Sequence, residues 1–170
     1  WWVLGGRWRY QLKVRKDTPH LKDKDFFVGE PRKQRGRYRW CDAAPIKDIL
    51  WSHMNKPDNE TIKKMARFWD VVVDGMPKEE GEDFGWHYNG DYYRDMYGTK
   101  ENYIMKENTF YTHDLLDGIN DEWHTMGDMG WFGCDNSTRD SFERYLQSFY
   151  EIIEKPEYQD YWFCVVDCHI

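Results

Sequence analysis

The C-terminal part of the chain carries one long amphipathic pattern followed by an abrupt change of period. Phe142, Tyr145, Leu146, Phe149, Ile152 and Ile153 fall at i, i+3, i+4 and i+7 spacing, a single stripe of a 3.6-residue repeat. Ser137 or Thr138 stands where an N-cap belongs, and Pro156 ends the pattern. From residue 161 the spacing becomes two: YWFCVVDCHI, residues 161–170, reads as a strand. A helix that returns the chain into a closing strand needs a sheet to lie against. This fixes a layer of helix on a layer of sheet as the expected plan.

Upstream segments supply the rest of that plan. Trp8, Tyr10, Leu12 and Val14 alternate with Arg9, Gln11 and Lys13, the mark of a half-buried strand after a Gly5-Gly6 turn. Residues 42–51 suggest a short helix. Asp58 and Asn59 open a clearer one, with Ile62, Met65, Ala66, Trp69, Val72 and Val73 at helical spacing and a stop at Gly75 and Pro77. Residues 91–98 and 99–108 suggest two more, the second capped by Thr99. Residues 108–125 read as a hairpin, with turn chemistry at Asp117-Gly118 and Asn120-Asp121. The order implies an α+β domain spanning residues 1–170: an antiparallel sheet with helices packed on one face, ferredoxin-like with an inserted helical segment. Residues 15–40 form a basic surface excursion and 42–107 a mainly helical insertion.

The apolar content is mostly aromatic, with ten Trp, twelve Tyr and nine Phe. Such side chains bury large areas and keep a polar edge near water, which suits an aromatic core or an aromatic-lined cleft. Net charge is −7 and unevenly spread, +8 over residues 1–40 and −15 over 41–170. The stretch PRKQRGRYRW, residues 31–40, invites phosphate, but the acidic remainder argues against a duplex-DNA binder. No apolar run approaches the ~18 residues of a membrane span. The four cysteines form no CxxC pair, consistent with a reduced, cytoplasmic protein.

The closing strand places side chains on alternate faces. Trp162, Cys164, Val166, Cys168 and Ile170 form an apolar set and are assigned to the core. Phe163, Val165, Asp167 and His169 then face away, so Asp167 and His169 project together, ~7 Å apart. Gly5 and Gly6 allow close backbone approach to a ligand, and Arg7 offers a forked donor to phosphate or carboxylate. The alternative is a tight turn with Arg7 pairing an acidic side chain. Trp8, Trp123 and Trp131 could stack on a flat ring, and His124, with His113 across the hairpin, could add polar contacts. The candidate ligand set is therefore Gly5, Gly6, Arg7, Trp8, Trp123, His124, Trp131, Asp167 and His169. No P-loop, dinucleotide fingerprint, G-x-S-x-G or zinc-ligand spacing occurs, so no catalytic residue, cofactor or metal is assigned.

Four ordered segments, WWVLGGRW, YGTKENYI, FYTHDLLDG…EWHTMGDMGWFG and the terminal VVDCHI, together resemble a family of phage- and prophage-encoded proteins without assigned activity. The resemblance covers the first strand and most of residues 97–170, and implies a protein of the host cytoplasm. It transfers no catalytic residue, and PRKQRGRYRW is not part of it. Three functional classes follow. The first is a non-enzymatic accessory protein that binds a small phosphorylated or nucleotide-like ligand, for instance to sequester a signalling nucleotide in counter-defence. The second is a protein-binding inhibitor or accessory subunit acting on a host protein. The third is a hydrolase or nuclease using Asp167 and His169, joined by His124 or His113, with or without a metal.

Overall fold

A computed structural model describes residues 1–19, 37–130 and 134–168 of the protein. The expectations placed on Trp131, on His169 and Ile170, and on most of the basic excursion lie outside the described residues. The class is α+β. The strands do not assemble into the one sheet of a ferredoxin-like arrangement. They form antiparallel pairs: β1 (Trp2–Leu4) with β8 (Val166–Cys168), β2 (Leu12–Arg15) with β3 (Tyr38–Cys41), and β4 (Ala43–Pro45) with β7 (Trp162–Cys164). A further pair joins β5 (Asp114–Asp117) to β6 (Glu122–Thr125). The chain divides into two compact units, residues 1–54, 112–124 and 147–170 in the first and 55–111 and 125–146 in the second.

In the first unit Leu12 and Val14 are fully buried, while Lys13 between them lies over the rings of Tyr38 and Trp40, 4.6 and 5.5 Å from their centroids. The alternation expected from Trp8 starts only at Leu12. Trp8 belongs to a 3-10 turn and Tyr10 takes a left-handed φ of 60°, so the chain bends before it extends. Residues 43–45, expected as helix, are strand. Ala43 and Ala44 have helical propensity, but pairing with Cys164 and Phe163 overrides it. Helix α1 is confined to Trp51–Met54, and the Trp51 ring meets Phe163 and Phe149 edge-on at 5.4 and 6.3 Å.

The closing strand runs from 162 to 168 and changes neighbour at Val165. The Val165 amide donates to the Asp42 carbonyl, and its carbonyl accepts from the Gly5 amide, both at 2.8 Å. The two polar groups of one strand residue point to the same side. Strands β4 and β1 therefore lie end to end along one edge of 162–168. The faces are the reverse of those read from sequence: Phe163, Val165 and Asp167 are buried, and Cys164, Val166 and Cys168 are exposed.

In the second unit Asp58 caps α2 (Asn59–Phe68) by accepting from the Thr61 amide at 2.7 Å. The helix continues as a π turn through residue 73, which carries Trp69 and Val73 into a core with Tyr97 and Tyr103. Asn89 and Thr99 cap α3 (Gly90–Tyr97) and α4 (Lys100–Glu107). The Arg139 guanidinium closes the C-terminus of α3, donating from Nε to the Asp95 carbonyl at 2.7 Å and from Nη2 to that of Arg94. Arg139 opens α5 (Arg139–Ile153), the helix anticipated from the stripe. Thr138 and Ser141 cap its start reciprocally, Ser141 N–H to Thr138 Oγ1 at 3.2 Å and Thr138 N–H to Ser141 Oγ at 2.9 Å.

Candidate functional site

The site grows from two buried carboxylates, Asp42 between β3 and β4 and Asp167 in the middle of β8. They are 1% and 3% exposed. A carboxylate taken from water needs donors, and the loop after β1 supplies them. Gly5 and Gly6 have φ of 71° and 49°, which turns the backbone amides inward. The Arg7 amide donates to Asp167 Oδ2 at 2.9 Å; the guanidinium adds Nε to the same oxygen at 2.9 Å and Nη2 to Oδ1 at 2.7 Å. This is a backbone donor and a forked side-chain donor on one carboxylate, the geometry for which arginine is suited. Across the loop the Tyr10 amide donates to Asp42 Oδ1.

Both glycines are required by space as well as by φ. A Cβ on Gly5 would stand 2.6 Å from the Asp42 carboxyl carbon, and one on Gly6 would stand 2.3 Å from Asp167 Cβ. The result is a clasp: the N-terminal loop closes over β3–β4 and the closing strand. Burial pushes the Asp42 carboxyl above its ordinary range, opposed by the Tyr10 amide and the charge of Arg9. The hydrogen bonds to Asp167 strengthen the hold of Arg7 on its own proton.

Of the candidate ligand residues, the structure thus brings together Gly5, Gly6, Arg7 and Asp167. Within the chain Arg7 pairs with Asp167, the pairing that the tight-turn alternative describes. Trp8 follows directly, 56% exposed, with the Arg7 guanidinium carbon 5.9 Å from its ring centroid. Trp123 and His124 lie on β6. Among the described residues no hydrogen bond or ion pair links them to the clasp. His124 Nε2 is 3.8 Å from Glu122 Oε2 and makes no hydrogen bond there, and His113 Nδ1 is 3.0 Å from Asp114 Oδ1.

Two participants were missed at the level of sequence, Tyr10 and Asp42. The signal for Asp42 is available: a lone acid in the otherwise apolar run from Trp40 to Ile46 calls for a buried partner. The expectation that Cys164 and Cys168 are small core hydrophobes is also corrected, since both are exposed and only Cys41 is buried. The Cys41 thiol is pushed up to about 12, chiefly by burial, and is inert at neutral pH.

Reversal of the strand faces creates a second feature. Registers Trp2↔Cys168 and Leu4↔Val166 place these four side chains on one face of the β1–β8 pair. Trp2 is 71% exposed and Val166 38%, so this face is an apolar surface open to solvent. Elsewhere Asp95, Thr138, Arg139 and Asp140 line a surface depression of about 360 Å³. Among the described residues no group of three or more His, Cys, Asp or Glu is arranged to hold a metal, and no helix is long and apolar enough to cross a membrane. Comparison with protein families, with curated proteins and with solved structures finds no match.

Proposed function

We propose that this chain is a non-catalytic accessory protein that docks another protein on the outer face of its β1–β8 pair. The observation that carries the reading is the exposure of Trp2 and Val166 on that face, with Leu4 and Cys168 beside them. A contiguous apolar patch open to water marks an interaction site, and interface centres are enriched in tryptophan. The resemblance to phage-encoded proteins makes a host protein the partner class to look for. The test is affinity capture from host lysate with the native chain and with a Trp2→Asp, Val166→Asp double variant. A protein held by the native chain and lost with the variant supports the reading. Equal capture by both, or none by either, removes it.

A phosphorylated or nucleotide-like ligand is the second reading, supported by Arg7 standing beside the exposed Trp8 ring. The phosphate would have to share or displace the donors that Arg7 gives to Asp167, which sets a cost on that mode. A thermal-shift series with mono-, di- and cyclic nucleotides tests it, and a flat response throughout counts against it. Hydrolysis through Asp167 gains less support, because both oxygens of that carboxylate already accept hydrogen bonds from Arg7.

A further inference from the structure

The closing strand has a second edge, and its chemistry differs from that of the docking face. Val165 directs both of its backbone groups toward β4 and β1, so the odd-numbered residues of the strand face that edge. The even-numbered residues face the other way. Among the described residues, the amides and carbonyls of Cys164, Val166 and Cys168 have no hydrogen-bonded neighbour on that side. Proteins usually protect such an edge with lysine, proline, a bulge or an inward charge. Here residues 164–168 carry neither lysine nor proline: Cys164, Val166 and Cys168 are neutral and exposed, and the inward charge of Asp167 is neutralised by Arg7.

We infer that this edge pairs with the same edge of a second copy of the chain, antiparallel, about a two-fold axis at Val166. Self-pairing requires outward-facing residues to oppose outward-facing residues, and a centre on Val166 meets that condition. The register sets Val166 against Val166 of the second copy and Cys164 against its Cys168. No charge opposes a like charge along the paired segment. That matters for a chain of net charge −7, since the pairing adds no like-charge contact at the seam. The pairing extends β1–β8 into a four-stranded sheet and joins the two outer faces into one apolar surface. It is independent of the docking function, since it engages backbone groups rather than the tryptophan face.

The experiment uses thiols as rulers. Two variants are made in a Cys134→Ser background, one with Cys164→Ser and one with Cys168→Ser. Each is treated with a short bismaleimide alone and after mixing. The expected result is covalent dimer in the mixture and its loss in each variant alone, because like thiols lie about 13 Å apart in this register. Dimer in either variant alone at the level of the mixture overturns the register. Light scattering on the native chain at about 100 μM should give a dimer mass, and Val166→Lys should give a monomer with an unchanged circular dichroism spectrum, since two lysines would meet at the axis. A monomer mass for the native chain overturns the inference, as does a folded Val166→Lys that remains dimeric. If Val166→Lys does not fold, the thiol mixing decides alone.

Discussion

Replacing Gly6 by alanine tests the clasp at its tightest point. The residue sits at φ 49°, where a side chain costs about 1–2 kcal/mol relative to glycine. Its new Cβ would lie 2.3 Å from Asp167 Cβ. Carbon atoms rest near ~3.5–4.0 Å, so more than an ångström has to be recovered by movement. Asp167 cannot withdraw without leaving the Arg7 amide and guanidinium, and overpacking of this kind costs about 1–3 kcal/mol. The sum is about 2–5 kcal/mol, a large share of the ~5–15 kcal/mol that stabilises a typical domain. Urea unfolding followed by fluorescence and circular dichroism reads it out as a midpoint lowered by about 1–3 M. Two controls separate the contributions. Gly81→Ala, at φ 85° with open space around it, should show the conformational cost alone, and Gly118→Ala, with nothing within 4 Å, should stay within about 0.5 kcal/mol of the native chain. Gly5→Ala should be less than additive with Asp42→Ala, which removes the atoms it strikes. If Gly6→Ala is no worse than Gly81→Ala, the loop does not pack on Asp167 and the clasp is refuted.

Phe149 is fully buried, with Phe163 at 5.8 Å and Trp51 at 6.3 Å, and Phe149→Ala should cost about 3–5 kcal/mol by calorimetry or urea titration; a loss below about 1 kcal/mol would mean that this part of the core is not where it is described. Asp42 holds its proton to higher pH in the folded chain than its ordinary value of 3.8, so the native state binds more protons across that window and the Asp42 contribution to stability falls as pH rises from about 4. Asp42→Asn keeps an acceptor for the Tyr10 amide and removes the titration. The stability difference between variant and native chain should therefore change with pH in favour of the variant above about pH 4, and a flat difference would contradict the burial of that carboxyl.

Local signals were read well because each is complete within a few residues. The stripe from Phe142 to Ile153 with Thr138 at its head, the Asp58 cap and the Thr99 cap all became helices near their expected places. The 43–45 segment failed because its fate is decided by a partner strand more than a hundred residues away. The closing strand shows the same limit more sharply. Its alternation was legible, but the even-numbered set is apolar throughout and was assigned to the core, which put Asp167 on the wet side. Its actual place is inward, because Arg7, 160 residues away in sequence, carries the neutralising charge. A period of two fixes which residues share a face and leaves open which face is covered. The paired glycines were read as a place where the backbone approaches a ligand closely; within the chain they lie against Asp42 and Asp167.

The most direct test of the account is the orientation of the closing strand, read by thiol alkylation of the native protein at low concentration with mass spectrometric assignment. Cys168 should react at a rate close to that of the unfolded chain, Cys164 more slowly because burial pushes its thiol above the ordinary range, and Cys41 should be protected until global unfolding. Protection of Cys168 comparable to that of Cys41 would place the sulfur-bearing face in the core. That result would turn Asp167 outward, away from Arg7, and leave the clasp, the docking face and the paired edge without a foundation.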